Sequence, residues 1–267
     1  MPESSSFDVS NFIVQLSIWA VPIVFAIILH EVMHGFVARM LGDDTAERAG
    51  RLTLNPIPHI DPMGTIILPA LLLLFHMPVF GWARPVPVDF RRLNPRRAGM
   101  LAVAAAGPLT NLALAVLSAV LLRIAVAHLA GIWGERIALP LAYMLRASVI
   151  INIVLAVFNL LPLLPLDGGR VIAALLPPQL ALRFAGLERY GLLILLLLLY
   201  TGSISAVMDP IINAIARVIM AGSVGNWSGS GEHLGRVGLA RWAGTAAFSG
   251  GTGVKQSLRL FVVECWS

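Results

Sequence analysis

Four stretches of this chain carry no charged residue over lengths that can cross a lipid bilayer: Asn11–Leu29, Ala98–Leu122, Ala147–Leu166 and Tyr190–Met208. A helix rising 1.5 Å per residue needs about 20 apolar residues to cover the roughly 30 Å of hydrocarbon in a membrane. A fifth stretch, Met63–Ala83, is also uncharged, but Pro69, His76 and Pro78 interrupt it. Charged residues are only 12% of the whole chain and hydrophobic ones 58%, whereas a soluble domain carries about 25% charged. The expected architecture is therefore an all-α polytopic membrane protein with four to five transmembrane helices. The polar lead, residues 1–10, has Glu3 and Asp8 and no basic residue, unlike a secretory signal. The first span is thus expected to remain in the mature protein.

Residues 11–221 read as one integral-membrane core and residues 222–267 as a flexible Gly- and Ser-rich tail. Between the first two spans, Arg51–Leu54 and Val86–Phe90 are expected to form a small β-hairpin. Unpaired backbone is costly at membrane depth, so such a hairpin should tuck against the helices. Ala98, Ala102, Ala106 and Thr110 form a stripe of small residues at four-residue spacing, suited to close helix packing in lipid. The single cysteine, Cys265, excludes an intrachain disulfide and a cysteine-based zinc site. The net charge of +5 does not point to nucleic acid, because the basic residues sit in short loops between spans.

Ionisable groups on an apolar helix are expensive and mark function. The first span runs directly into His30-Glu31-Val32-Met33-His34. Residues four apart stack on one helix face, so His30 and His34 can present two imidazoles to one metal ion. Glu31 lies beside them as a candidate general base, the mechanical content of an H-E-x-x-H motif. Catalytic zinc usually takes three protein ligands and keeps a position for water. Glu135 and Glu188 lie in charged loops, while Asp167 ends an apolar stretch in Pro162-Leu163-Leu164-Pro165-Leu166-Asp167-Gly168-Gly169. Asp167 is the better third ligand. Asn111 and Asn159 are candidate substrate-binding residues, able to hydrogen-bond a scissile carbonyl or an extended chain. His59 and Asp61 read more simply as a turn before the next hydrophobic segment.

These pieces resemble the site-2 protease family of intramembrane zinc metallopeptidases. The resemblance covers residues 11 to about 210 and rests on His30-Glu31-Val32-Met33-His34 and Leu166-Asp167-Gly168, in the family's order. Ala106-Gly107-Pro108-Leu109-Thr110-Asn111 is similar to the family's Gly-Pro-x-x-Asn element, and Asn159 matches an asparagine placed near substrate. The resemblance implies one Zn2+ per chain on His30, His34 and Asp167, with Glu31 as general base. It also implies a compact member without a PDZ domain, acting on single-pass or membrane-tethered proteins to release a regulator. A non-proteolytic membrane metal-binding protein or transporter would use the same ligands without needing Glu31. A prenyl-protein-processing type of metalloprotease would take a downstream Glu as third ligand.

Topology follows from the arginines. If Met63–Ala83 enters and leaves on one side, the eight arginines from Arg39 to Arg97 join the three from Arg170 to Arg189. Only Arg123, Arg136 and Arg146 then lie opposite. The positive-inside rule favours this re-entrant arrangement in a bacterial cell membrane. It puts the N-terminus outside and the ends of the first and third spans, with His34 and Asp167, nearer the cytoplasmic face.

Overall fold

The computed structural model describes residues 9–75, 81–129 and 134–224. Its elements are α1 (Val9–Met40), α2 (Thr45–Arg48), α3 (Leu68–Leu74), α4 (Arg96–Ile124), α5 (Glu135–Asn159), α6 (Asp167–Leu175), α7 (Pro178–Ala185), α8 (Glu188–Tyr200) and α9 (Ser203–Val224). A 3-10 turn at Ile57–His59 and π-helical turns at Pro62–Ile67 and Ala125–Leu129 complete the described helices. Four helices are long and apolar enough to cross a membrane: Ser17–Met40, Arg96–His128, Ile137–Asn159 and Ser203–Ala221.

The third of these four long helices, α5, is the axis of the bundle. Ala147 and Ile151 on one face pack against Ile18 and Ala26 of α1. Val149, Ile153 and Val157, two residues out of phase, pack against Ala115 and Ala119 of α4 and Met208, Ile212 and Ala216 of α9. The outer surface stays apolar, with Phe25 56% and Leu193 69% exposed. In water that would be an aggregation-prone patch, whereas lipid solvates it.

Several expectations are corrected. The expected span Tyr190–Met208 is two helices. Gly202 takes φ +71 and, with Thr201, turns the chain between α8 and α9, and the 13 residues of α8 are too few to cross. The third span begins earlier than Ala147 and includes Arg146, then stops at Asn159, leaving Leu160–Leu166 irregular. The close-packed row of α4 is not Ala98, Ala102, Ala106 and Thr110, of which Ala98 and Ala102 are exposed. It is the neighbouring row of Gly99, Val103, Gly107, Asn111, Ala115 and Ala119, all buried. Two rows of small residues run side by side on this helix, and the partners decide which one closes.

No strand is present among the described residues, so the hairpin of Arg51–Leu54 and Val86–Phe90 does not form there. The reason is where the backbone groups go. The Val86 and Asp89 amides donate to the carboxylates of Glu31 (2.9 Å) and Asp43 (2.7 Å). The Arg51 guanidinium donates to the carbonyls of Pro58, Arg84 and Pro85. Side chains have taken the ladder positions. The connection from α1 to α4 is nonetheless tied to itself. Trp82 N–H donates to the Gly64 carbonyl (3.1 Å) and Asn94 N–H to that of Leu41 (2.9 Å), while Arg92 reaches Asp44 at 3.0 Å. The tail from residue 225 lies outside the described residues.

Candidate metal centre

The last turns of α1 carry His30 and His34, 6% and 8% exposed. Helical stacking brings their rings to 4.7 Å between centroids, nearly perpendicular. Asp167 reaches them from the first residue of α6. Its Oδ2 lies 3.1 Å from His30 Nε2 and 3.2 Å from His34 Nε2, and the two Nε2 atoms are 3.0 Å apart. The sequence separation of 137 residues between His30 and Asp167 is closed by the bundle.

Glycines make that closure possible. A Cβ on Gly107 would overlap the Nε2 atoms of both histidines, so the α4 backbone itself forms the floor of the site. A Cβ on Gly168 or Gly169 would strike the backbone of Leu160–Leu164, which explains the glycine pair after Asp167. The small residues of the Gly-Pro-x-x-Asn and Asp-Gly-Gly elements are spacing devices.

The donor set can be tested for a metal without one present. His34 Nδ1–H donates to the Val103 carbonyl (2.7 Å) and His30 Nδ1–H to Asn111 Oδ1 (2.5 Å). Neutral imidazoles so bound present bare lone pairs at Nε2. Two lone pairs and a carboxylate oxygen then face one another at 3.0–3.2 Å. A single shared proton would relieve one of those contacts, whereas a cation among them relieves all three. Tetrahedral zinc with bonds of about 2.0–2.1 Å would set its donor atoms about 3.3 Å apart. The residues fit such an ion closely, and they are the group able to hold a metal among the described residues.

His30, His34 and Asp167 open onto a cavity of about 770 Å³, which Glu31, Asn159, His59 and Arg170 also line. Apolar side chains such as Val24, Ile27, Trp82 and Phe158 supply much of its wall. Glu31 is anchored by the Val86 N–H, which keeps it on the cavity side of α1. Asn159, the last residue of α5, donates to the Leu155 carbonyl at 3.0 Å. Asn111 is elsewhere: it is fully buried between α1 and α5, with Nδ2 on Asn152 Oδ1 (2.8 Å) and the Ala26 carbonyl (3.3 Å). Asn152 carries no motif and is not expected at the site from the sequence; an amide in the middle of an apolar span was its one signal. The Val103 carbonyl has none at all. His59 is buried and donates from Nε2 to the Thr53 carbonyl (3.0 Å).

Comparison with known proteins points to a family of zinc metalloproteases. The family model described as peptidase family M50 matches residues 123–199. A Bacillus subtilis protein named "Putative zinc metalloprotease YwhC" is 41% identical over 198 residues, covering 73% of this chain and 85% of the relative. "Putative zinc metalloprotease Rip2" of Mycolicibacterium smegmatis is 30% identical over 197 residues, covering 74% of this chain and 70% of that protein. The Mycobacterium tuberculosis protein of the same name is 30% identical over 188 residues, covering 70% and 66%. No solved structure matches the chain. With these relatives, the apolar spans and the His30–His34–Asp167 group, the chain belongs to peptidase family M50, the site-2 protease family.

Proposed function

We propose that this chain is an intramembrane zinc metalloendopeptidase that hydrolyses peptide bonds within or next to the transmembrane segments of membrane-anchored proteins. The observation that carries the proposal is the convergence of His30, His34 and Asp167 on one point at the wall of a largely apolar cavity, with Glu31 on the same wall. Zinc held by these three side chains would supply a Lewis acid and lower the pKa of water toward neutrality. Glu31 takes the proton from the attacking water and returns it to the leaving amine. Its hydrogen bond from Val86 N–H orients the carboxylate and occupies only part of its acceptor capacity. A helical substrate must unwind for its carbonyl to be attacked, and Asn159, which lines the cavity, would bind the freed backbone. Asn111 has its amide committed to His30, Asn152 and Ala26, so we assign it to the metal ligand and not to the substrate.

The membrane arrangement we propose has four crossings and a re-entrant Met63–Ala83. Leu41 touches Asn94 and Asp44 touches Arg92. Residues in contact cannot lie on opposite sides of about 30 Å of hydrocarbon, which supports an even number of crossings between them. The eleven arginines of the 39–97 and 170–189 regions then share one side, and the positive-inside rule makes it the cytoplasm of a bacterial cell. Release of membrane-tethered regulators is the corresponding biological role.

The rival reading, a metal carrier without hydrolysis, does not need Glu31. Purified wild type and Glu31→Gln should hold equal zinc, and only wild type should cut single-span substrates in a membrane peptide panel. Cleavage that survives Glu31→Gln would defeat the assignment of the base.

A further inference from the structure

The two histidines have their Nδ1 protons fixed by different means. His34 donates to the Val103 carbonyl, and a carbonyl can only accept, so one backbone bond settles its tautomer. His30 instead meets the side-chain amide of Asn111. An amide presents a donor at one end and an acceptor at the other, and turning it over would exchange them. Something must orient it.

The next links do so. Asn111 Nδ2 donates to Asn152 Oδ1 and to the Ala26 carbonyl. Asn152 Nδ2 donates in turn to the Ser148 carbonyl (2.8 Å) and lies 3.2 Å from Ser148 Oγ, which pairs with Ser118 Oγ at 2.8 Å. Asn111 and Asn152 are 0% and 1% exposed, so water cannot replace these partners. The chain of bonds has one polarity, set by the carbonyls of Ser148 and Ala26. Were Asn111 turned over, its oxygen would face the Asn152 oxygen and the Ala26 carbonyl, and its NH2 would face His30 Nδ1. His30 would then carry its proton on Nε2, pointing at the metal position.

We infer that the buried relay Ser148 carbonyl–Asn152–Asn111–His30 holds His30 in the tautomer that binds metal, and that Asn152, remote from the ion, is a positioning residue for metal capture. The inference rests on the reading of His30, His34 and Asp167 as a metal site. The bland alternative is that two buried asparagines only join α1, α4 and α5. That alternative asks for satisfied hydrogen bonds but not for a direction.

The test compares zinc affinity of the detergent-purified full chain by competition with a chromophoric chelator. Asn152→Leu keeps the bulk and removes the acceptor, leaving only the Ala26 carbonyl to orient Asn111. Its affinity should fall more than about threefold, toward the range of about 10–100-fold for direct partners of metal ligands, such as Asn111. Asn152→Asp, as a neutral acid, accepts from Asn111 and donates to Ser148, and should stay within about threefold of wild type. Unaltered zinc affinity in Asn152→Leu, or an equal loss in Asn152→Asp, overturns the inference. Should Asn152→Leu not fold, 15N NMR of the imidazoles in the zinc-free wild type decides. His30 is expected to carry a proton on Nδ1 there, whether or not Nε2 shares one with Asp167, and a His30 protonated on Nε2 alone, or a mixture with that form, overturns it. A wild type that binds no zinc would remove the metal-site reading, while the tautomer of the zinc-free protein still tests the relay.

Discussion

Gly107→Ala adds one methyl group at the tightest point of the proposed metal centre. The new Cβ would stand 2.5 Å from His30 Nε2 and 2.6 Å from its Cε1, where ordinary contact begins at 3.4 Å. His34 Nε2 would be closer still, so about 1 Å must be found, by moving α4 or by pushing the imidazoles aside. The α4 helix cannot retreat cheaply, because Val103, Pro108, Asn111 and Ala115 are buried on the same side of it. Overpacking of this kind costs about 1–3 kcal/mol of stability. The imidazoles give way more easily, but a metal bond tolerates only about 0.2 Å. Zinc affinity should therefore fall at least 100-fold, or about 2.8 kcal/mol at 1.4 kcal/mol per decade. Chelator competition measures it on the detergent-purified protein, with thermal unfolding of the zinc-free form recording the packing cost separately. A Gly107→Ala protein that binds zinc within threefold of wild type would refute the claim that the α4 backbone forms the floor of the site.

Three further outcomes are expected. His30→Ala, His34→Ala and Asp167→Ala should each abolish cleavage and lower zinc content, and retention of both in Asp167→Ala would dismiss the third ligand. Asp43 is buried, which by itself raises a carboxyl pKa, but bonds from Thr45 and the Asp89 amide, with Arg92 nearby, bring it below the ordinary value. A folded pKa below the unfolded value of about 3.9 gives stability above that pH, lost as the pH falls through the folded value. Asp43→Asn should thus cost about 1.5–3 kcal/mol at pH 7, with the gap from wild type closing below about pH 4 in thermal melts; a pH-independent gap would contradict this. Single cysteines at Ser4, Asp44 and Arg92 in a Cys265→Ser background should label with 44 and 92 on one side and 4 on the other. Labelling of 44 and 92 from opposite sides would end the re-entrant proposal.

What the sequence determined by itself was whatever depends on short range. Helical stacking of His30 and His34 needs only four residues, and an uncharged run declares its own solvent. Asp167 was reachable too, because few acidic residues sit at the end of an apolar stretch. Other features depended on partners far along the chain. Gly107 and Asn111 meet His30 across 77 and 81 positions, and Asn152 meets Asn111 across 41. Nothing local marks which of two rows of small residues on α4 will close, or that Asn111 would be spent on His30. The hairpin failed for the same reason: the amides of Val86 and Asp89 found the carboxylates of Glu31 and Asp43, 55 and 46 residues away. Hydrogen-bonding groups go to whichever partners the packed helices bring within reach, and only the tertiary structure decides which those are.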